Sequence, residues 1–157
     1  MWQKSALAVC MSLSCAMASA AAQTPPAAAP AAAYDAELAK SLGGDERGMR
    51  QYVLVILKTG PNKVADKDAR AQMFKGHFAN MERLAGEKKL VLAGPLDGVE
   101  GRRGIFVFNT PDIETAKTWV ATDPVIINGE MVAEYHKFYG SAAVMAVNDI
   151  HNKIQKK

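Results

Sequence analysis

The stretch FKGHFANMERL, residues 74–84, places a histidine on the apolar face of a predicted helix. Apolar residues recur there at steps of three and four, and His77 falls on their face. Those residues are Phe74, Phe78, Met81, Leu84 and Ala85. An imidazole buried without a hydrogen-bond partner costs about 1–3 kcal/mol, so His77 needs a partner. Two interpretations stay open: a satisfied core residue, or a general base whose tautomer is fixed by a neighbouring carboxylate.

Four further polar residues are weaker candidates for contacting a substrate. Asp97 precedes Gly98 in a predicted turn, which favours a solvated turn role. Arg103 could bind an anionic ligand, as arginine commonly does, or it could be a surface charge. Glu134 and His136 alternate along the last predicted strand, and they would point toward a ligand cavity if their face lines a barrel.

The sequence lacks the motifs of the commoner cofactor and covalent chemistries. It contains no phosphate-binding loop, no G-x-G-x-x-G and no G-x-S-x-G nucleophile motif. A metal site can be imagined from His77, Asp123 and the two polar residues of the last strand, but no H-x-x-x-H or C-x-x-C spacing supports it. We therefore predict no metal, no cofactor and no covalent serine or cysteine nucleophile.

Short apolar runs and longer amphipathic segments define the elements that must position these residues. Four strands are predicted, at residues 52–57, 89–96, 104–110 and 131–139. Two helices are predicted between them, at 66–88 and 111–122, and a third at 141–155. Asp66 or Asp68 is the expected N-cap of the first helix, and Thr110 that of the second, with Pro111 at its first position.

The order β-α-β-β-α-β predicts an α+β, ferredoxin-like fold with an added C-terminal helix. The runs YVLVIL and GIFVF are apolar at consecutive positions, so both faces of the sheet require burial. Two helices cover only one face of a four-stranded sheet. A second copy packed sheet to sheet would cover the other, which predicts a homodimer and a dimeric α/β barrel. The alternative is a monomer whose second face is covered by the C-terminal helix or the N-terminal segment.

The first 20 residues have the pattern of a secretory signal peptide. The basic start MWQK precedes the apolar run ALAVCMSLSCAMA, and Ala18-Ser19-Ala20 fits an A-x-A cleavage site. Residues 21–49 are predicted as an Ala/Pro-rich linker and irregular segment, 50–140 as the α+β domain, and 141–157 as a helical tail. We expect a periplasmic or secreted protein with no stable membrane insertion after cleavage.

The positions of the cysteines and the net charge narrow the classes of protein to which the chain could belong. Cys10 and Cys15 both lie in the signal segment, so the mature domain would depend on its core and not on disulfides. The net charge of +3 falls to +2 when Lys4 is removed with that segment. Lysines and arginines are spread along the chain, which is unlike a nucleic-acid-binding surface. A small-molecule ligand is the expected partner besides a second copy.

Three segments carry a resemblance to a known family. KGHFANMERLAGEKKLVLAGPLDG, RRGIFVFNT and ATDPVIINGEMVAEYHKFYGSAA together resemble the YCII-related (YciI-like) family of small dimeric α/β-barrel proteins. The resemblance runs from Gln51 to about Val144. Its more specific marks are the histidine of the first helix, the AGP after the second strand and the DP after the second helix. Relatives usually carry His-Pro-Trp-Tyr in the last strand, where this chain has HKFY and lacks the proline.

The resemblance implies a site made from His77 and Asp123, because the family is described as having a His-Asp active site. Asp123 before Pro124 is by itself a common turn or N-cap arrangement. The two roles are compatible, since an aspartate held in a turn is well placed to orient a histidine.

The leading hypothesis is a cofactor-independent enzyme that acts on a small cyclic or aromatic molecule. His77 would act as general base, oriented by Asp123, in a hydrolysis, elimination or isomerisation. The alternative is a non-catalytic periplasmic protein that binds a small ligand or a partner. A third hypothesis, a monooxygenase without haem or flavin, rests on fold analogy alone. A His77 ring open to a cavity would favour chemistry, and a ring sealed in the core would favour a structural role.

Overall fold

The computed structural model describes residues 33–156, so the predicted signal peptide, both cysteines and most of the Ala/Pro tract lie outside the described residues. The helices are α1 (Ala36–Ser41), α2 (Lys67–Gly86), α3 (Ile113–Val120), α4 (Pro124–Ile127) and α5 (Val147–Ile154). The strands are β1 (Met49–Thr59), β2 (Leu90–Pro95), β3 (Arg102–Phe108) and β4 (Met131–Ser141). None of the helices within these residues is both long and apolar enough to cross a membrane.

The four strands form one antiparallel sheet in the order β2-β3-β1-β4. The helices α2, α3 and α4 pack on one face of it, around a core of alternate residues from the strands. That core includes Val53, Val55, Leu57, Leu84, Phe106, Phe108, Ala116, Val120 and Val125. The predicted ferredoxin-like α+β fold with an added C-terminal helix is therefore confirmed.

The second face of the sheet is covered at one end only. Tyr52, Val91 and Val107 are buried there beneath Val144 and Met145, which precede α5. The amide of Asn148 fixes this segment to the edge strand by donating to the carbonyl of Leu90 at 2.8 Å. Further along the same face the apolar residues are only half-buried, and Val132 on β4 is 44% exposed.

The predicted cap of the first core helix is confirmed, and that of the second is wrong. Asp66 caps α2 by accepting from the N–H of Ala69 at 2.7 Å. α3 begins at Ile113 and is capped by Asp112, not by Thr110. The Thr110 hydroxyl instead accepts from the N–H of Asp112 at 3.1 Å, so the Thr-Pro pair forms a turn before the helix and not its first residues.

The C-terminal segment is also more divided than the sequence predicts. β4 continues to Ser141, and a 3-10 turn at Ala142–Ala146 follows before α5 begins. The hydroxyl of Ser141 accepts from the N–H of Ala143 at 3.2 Å and so starts this turn. The single helix predicted at 141–155 is therefore a shorter helix that begins at Val147.

Candidate active site

His77 lies at the centre of the buried side of α2. Met73, His77 and Leu84 are the buried residues of this helix, and His77 is 7% exposed. Phe78, predicted on the same buried face, is 58% exposed. The reason is helical geometry: each residue turns the helix by about 100°, so the residue after a central buried position lies at the edge of the stripe.

Asp123 is held rigidly where α3 gives way to α4. It is fully buried and acts as N-cap of α4, with its Oδ1 accepting from the N–H of Val125 at 3.1 Å. Pro124 follows at the first helical position, where a missing N–H does no harm. Contacts within residues 123–125 thus orient both the backbone and the carboxylate of Asp123, independently of α2.

The two side chains meet directly. Nδ1 of His77 lies 2.9 Å from Oδ1 and 2.8 Å from Oδ2 of Asp123. With the carboxylate ionised, Nδ1–H is the donor, so the neutral ring carries its lone pair on Nε2. The structure therefore brings together the two residues that the resemblance implied, and their catalytic role remains a prediction.

The other side of the imidazole borders an apolar cavity of about 280 Å³ between α2 and the sheet. Phe106 stacks on the ring, with centroids 6.0 Å apart and planes inclined at 27°, and Phe74 meets it edge-on at 6.1 Å. Within residues 33–156, Nε2 has no protein hydrogen-bond partner. The remaining cavity walls include Leu57, Phe78, Met81, Pro95, Ile105 and Met131. A basic nitrogen thus borders a space that fits a small apolar ring.

Arg103 is the second predicted candidate that the structure brings to this cavity. Its side chain is half-buried and forms part of the wall. A bulge between Leu57 and Lys58 shifts the register of β1 against β3 beside it. Arg102 instead pairs with Glu100 at 2.7 Å and lies outside the wall.

Asp97 and the two polar residues of β4 lie elsewhere. Asp97 accepts from the N–H of Val99 at 3.2 Å, which is a turn contact. His136 and Glu134 pair with each other at 2.8 Å, opposite Leu54 and Ile56 of β1 on the face away from the helices.

Within one chain, this pair of β4 residues therefore lies on the opposite face of the sheet from the His77 cavity. The imagined metal set is divided between the two faces of the sheet. Nor does the His77 cavity open from a barrel interior, because it lies on the helix side of the sheet. Residues 33–156 contain no cluster of three or more His, Cys, Asp and Glu side chains that could hold a metal ion.

A partly buried ion pair between Arg70 and Glu130, near the cavity, has no local signal in the sequence. Nε and an Nη of Arg70 donate to Oε1 of Glu130 at 3.0 and 2.7 Å, and Oε2 accepts from the N–H of Val64 at 2.8 Å. These hydrogen bonds, the one from Arg70 first, lower the pKa of Glu130 against the opposing effect of burial, and the charge of Arg103 acts in the same direction. The partners are 60 residues apart, so only the fold reveals them.

Comparisons with known proteins place these features in context. The family model of the YCII-related domain matches residues 51–139. A search of curated proteins finds no significant match. Among solved structures, the chain is similar to 5-chloro-2-hydroxyhydroquinone dehydrochlorinase (TftG) from Burkholderia phenoliruptrix AC1100, in complex with 2,5-dihydroxybenzoquinone. That match has a TM-score of 0.41 and 16% identity, and it covers 55% of this chain and 92% of that chain.

Proposed function

This chain belongs to the YCII-related domain family, and from that premise we propose that it is a cofactor-independent enzyme acting on a small cyclic or aromatic molecule. His77 is the general base, and Asp123 orients it and stabilises its protonated form. The reaction class is one that begins with proton removal: an elimination, an isomerisation, or a hydrolysis in which water loses the proton.

The observation that carries the proposal is the asymmetry of the His77 ring. One nitrogen is bound by a fully buried carboxylate, while the rest of the ring borders an apolar cavity. A purely structural buried histidine is expected to have its polar atoms satisfied within the fold. An imidazole whose tautomer is fixed on one side and whose second nitrogen has no protein partner is instead arranged to accept a proton.

The mechanism follows from these contacts. A ligand in the cavity presents an acidic C–H or O–H to Nε2, which accepts the proton. The hydrogen on Nδ1 stays on the ring and keeps donating to the Asp123 carboxylate. The imidazolium that forms is stabilised by the adjacent carboxylate, and the surrounding aromatic wall keeps that ion pair from being screened by water. The volume of about 280 Å³ lies at the lower end of ligand cavities, which favours a substrate of about one ring.

Solvent exchange tests the base directly. The purified protein is incubated in D₂O with a panel of phenols, cyclic ketones and lactones, and loss of C–H signals is followed by proton NMR. We expect enzyme-dependent exchange with at least one compound, reduced by about 10²–10⁴-fold in His77→Asn. His136→Asn is the matched control, since that histidine is on the opposite face of the sheet.

The outcomes separate the proposal from its alternative. Exchange that survives in His77→Asn contradicts the mechanism. Saturable binding of panel members with neither exchange nor turnover would identify the non-catalytic ligand-binding protein instead.

We further propose that the enzyme is a homodimer, exported after cleavage near Ala20. Support for the dimer comes from the second face of the sheet, where Leu54 and Ile56 are only half-buried. Lys58 and Glu134, 3.4 Å apart on that face, give it one charge of each sign, so a two-fold axis could bring opposite charges together. Export rests on residues 1–20 alone, and N-terminal sequencing of the protein from its native cell tests it.

A further inference from the structure

A second, polar cavity of about 360 Å³ adjoins the His77 cavity. The two share Arg103, whose side chain forms part of both walls. The polar cavity is lined by Thr59, Gly60, Asn62, Lys63, Arg70, Arg103 and Glu130. Arg103 therefore borders both the apolar space beside His77 and a space lined by charged groups.

The polar cavity has an excess of positive charge. Its wall contains three cationic side chains and one carboxylate, and that carboxylate, Glu130, is already bound by Arg70 and by the N–H of Val64. Within residues 33–156, neither Lys63 nor Arg103 has a carboxylate oxygen within 4.0 Å. Two positive charges thus line the same space without a carboxylate at ion-pair distance, although the charge of Arg103 also acts on Glu130 from further away. One of the two, Arg103, is half-buried, where solvation by water is incomplete.

The cavity wall is built by close backbone contacts. The N–H of Gly60 donates to the carbonyl of Glu130 at 2.9 Å, and the N–H of Asn62 donates to that of Gly129 at 3.1 Å. A Cβ on Gly60 would lie 2.1 Å from the carbonyl oxygen of Gly129, so only glycine allows this approach. Lys63 therefore follows a segment that is pinned against the turn before β4.

Arg70 links this wall to the apolar cavity. Its guanidinium carbon lies 4.8 Å from the centre of the Phe74 ring, and Phe74 borders the His77 cavity. Because Arg70 is also bound by Glu130, it is fixed at the boundary between the two spaces. Arg103 is left as the cation best placed to contact a ligand that occupies both.

We propose that the ligand of the His77 cavity carries an anionic group, a carboxylate or a phosphate, which Arg103 and Lys63 bind in the polar cavity while its ring lies against His77. The inference deepens the proposed function by naming the substrate class, and it rests on that function. The planar guanidinium offers paired N–H donors that match the oxygens of either anion. The anion acts as an anchor that orients the ring toward Nε2.

Binding of three simple probes tests the anchor. Benzoate and phenyl phosphate carry the anion on one aromatic ring, and benzamide is the neutral counterpart of benzoate. We expect the wild-type protein to bind at least one of the anions about tenfold or more tightly than benzamide by isothermal titration calorimetry. The anion that binds more tightly then identifies the anionic group of the substrate as a carboxylate or a phosphate. The affinity of the protein for that anion should fall as the salt concentration is raised.

Variants locate the site. Arg103→Met should weaken binding of the anion by at least about tenfold, since one charged hydrogen-bond partner is lost. The affinity for benzamide should stay unchanged. Arg102→Met is the matched control, because that neighbour pairs with Glu100 outside both cavities. Lys63→Met changes an exposed residue and provides a second, fold-neutral test with a smaller loss in the same direction.

Benzamide binding as tightly as both anions, or Arg103→Met behaving like Arg102→Met, would overturn the proposal. The proposed function fails separately. His77→Asn should reduce exchange by about 10²–10⁴-fold yet leave the affinity for the anion within about twofold, because the variant retains the charged anchor. Exchange that survives in His77→Asn, together with weakened binding of the anion in Arg103→Met, would contradict His77 as the general base and support the anion site.

Discussion

Gly76 on α2 packs against Pro124 at the start of α4, so that a Cβ on Gly76 would lie 3.0 Å from Cγ of the proline ring. His77 follows Gly76 in the sequence, and Asp123 precedes Pro124. The absence of a side chain at Gly76 therefore lets the helix that carries the imidazole approach the turn that carries the carboxylate. The 2.8 Å distance from Nδ1 of His77 to Oδ2 of Asp123 depends on that close approach.

We expect Gly76→Ala to impair the base more than the fold. The new methyl group would push Pro124 by a few tenths of an ångström, whereas alanine gains about 1 kcal/mol over glycine in a helix interior. Stability should change little, and the rate of solvent exchange should fall about tenfold or more through the displaced Asp123. Gly86→Ala is the control, because a Cβ there meets nothing within 4 Å. Equal exchange rates in the two variants would show that the contact at Gly76 does not govern the pair.

The fold could be predicted from the sequence because its signals are local and repeat. Apolar runs predict all four strands, and Asp66, one of two expected caps, is the N-cap of α2. Where two local signals compete, the residue types alone do not decide between them. Thr110 and Asp112 can each cap a helix, and the structure uses Asp112, which accepts from both the N–H and the hydroxyl of Thr115 at 2.7 and 2.6 Å.

The site was predictable only in part because its geometry depends on strand register. The alternation of Glu134 and His136 was visible, but the face they occupy follows from their pairing with Ile56 and Leu54 of β1. Arg103 lies at the cavity beside a β-bulge that no residue pattern in the sequence predicts. The pair of His77 and Asp123 came from resemblance, since nothing in the spacing of 46 residues places them together.

We expect Asp123→Asn to reverse the tautomer of His77. The amide oxygen can keep capping α4 at the N–H of Val125, which leaves the amide NH₂ facing Nδ1. Two donors cannot share that contact, so the neutral ring should place its proton on Nε2 and lose its basic lone pair toward the cavity. Nitrogen-15 NMR of the ring at a pH where it is neutral measures the change, and exchange should fall about 10²–10⁴-fold.

Asp112→Asn controls for the loss of charge at a helix cap, since Asp112 caps α3 and is exposed to solvent. It should leave the His77 ring signals as in the wild type. A ring in Asp123→Asn that still carries its proton on Nδ1 would mean that the carboxylate does not set the tautomer.

The ion pair between half-buried Arg70 and buried Glu130 should make the free energy of unfolding depend on pH in the acid range. The pKa of Glu130 is lowered from its ordinary value of 4.5, chiefly by the hydrogen bond from Arg70. Its contribution is therefore complete above about 4.5 and is lost as the pH falls through the lower native value. At pH 7 Glu130→Gln should lower the free energy of unfolding by about 1 kcal/mol, a modest loss because Arg70 is partly solvated.

Urea unfolding between pH 7 and pH 3 measures this difference for the wild type and Glu130→Gln. The gap should stay constant down to about pH 5 and close below pH 4.5, because protonation removes the carboxylate in the wild type as well. Glu82→Gln, on the exposed side of α2, should show no such gap. A Glu130→Gln gap that persists unchanged at pH 3 would locate the effect in packing and not in charge.

A charge on the open face of the sheet should prevent the proposed dimer. Ile56 is half-buried there and lies opposite Glu134, so Ile56→Glu would place two carboxylates side by side within the interface. We expect sedimentation velocity to show a dimer for the wild type and a folded monomer for this variant, since burying an unpaired charge weakens association by about tenfold or more. Val99→Glu, in the loop between β2 and β3, adds the same charge at an apolar residue that is 58% exposed and should remain dimeric. A monomeric wild type would favour the alternative in which the C-terminal helix or the N-terminal segment covers the second face.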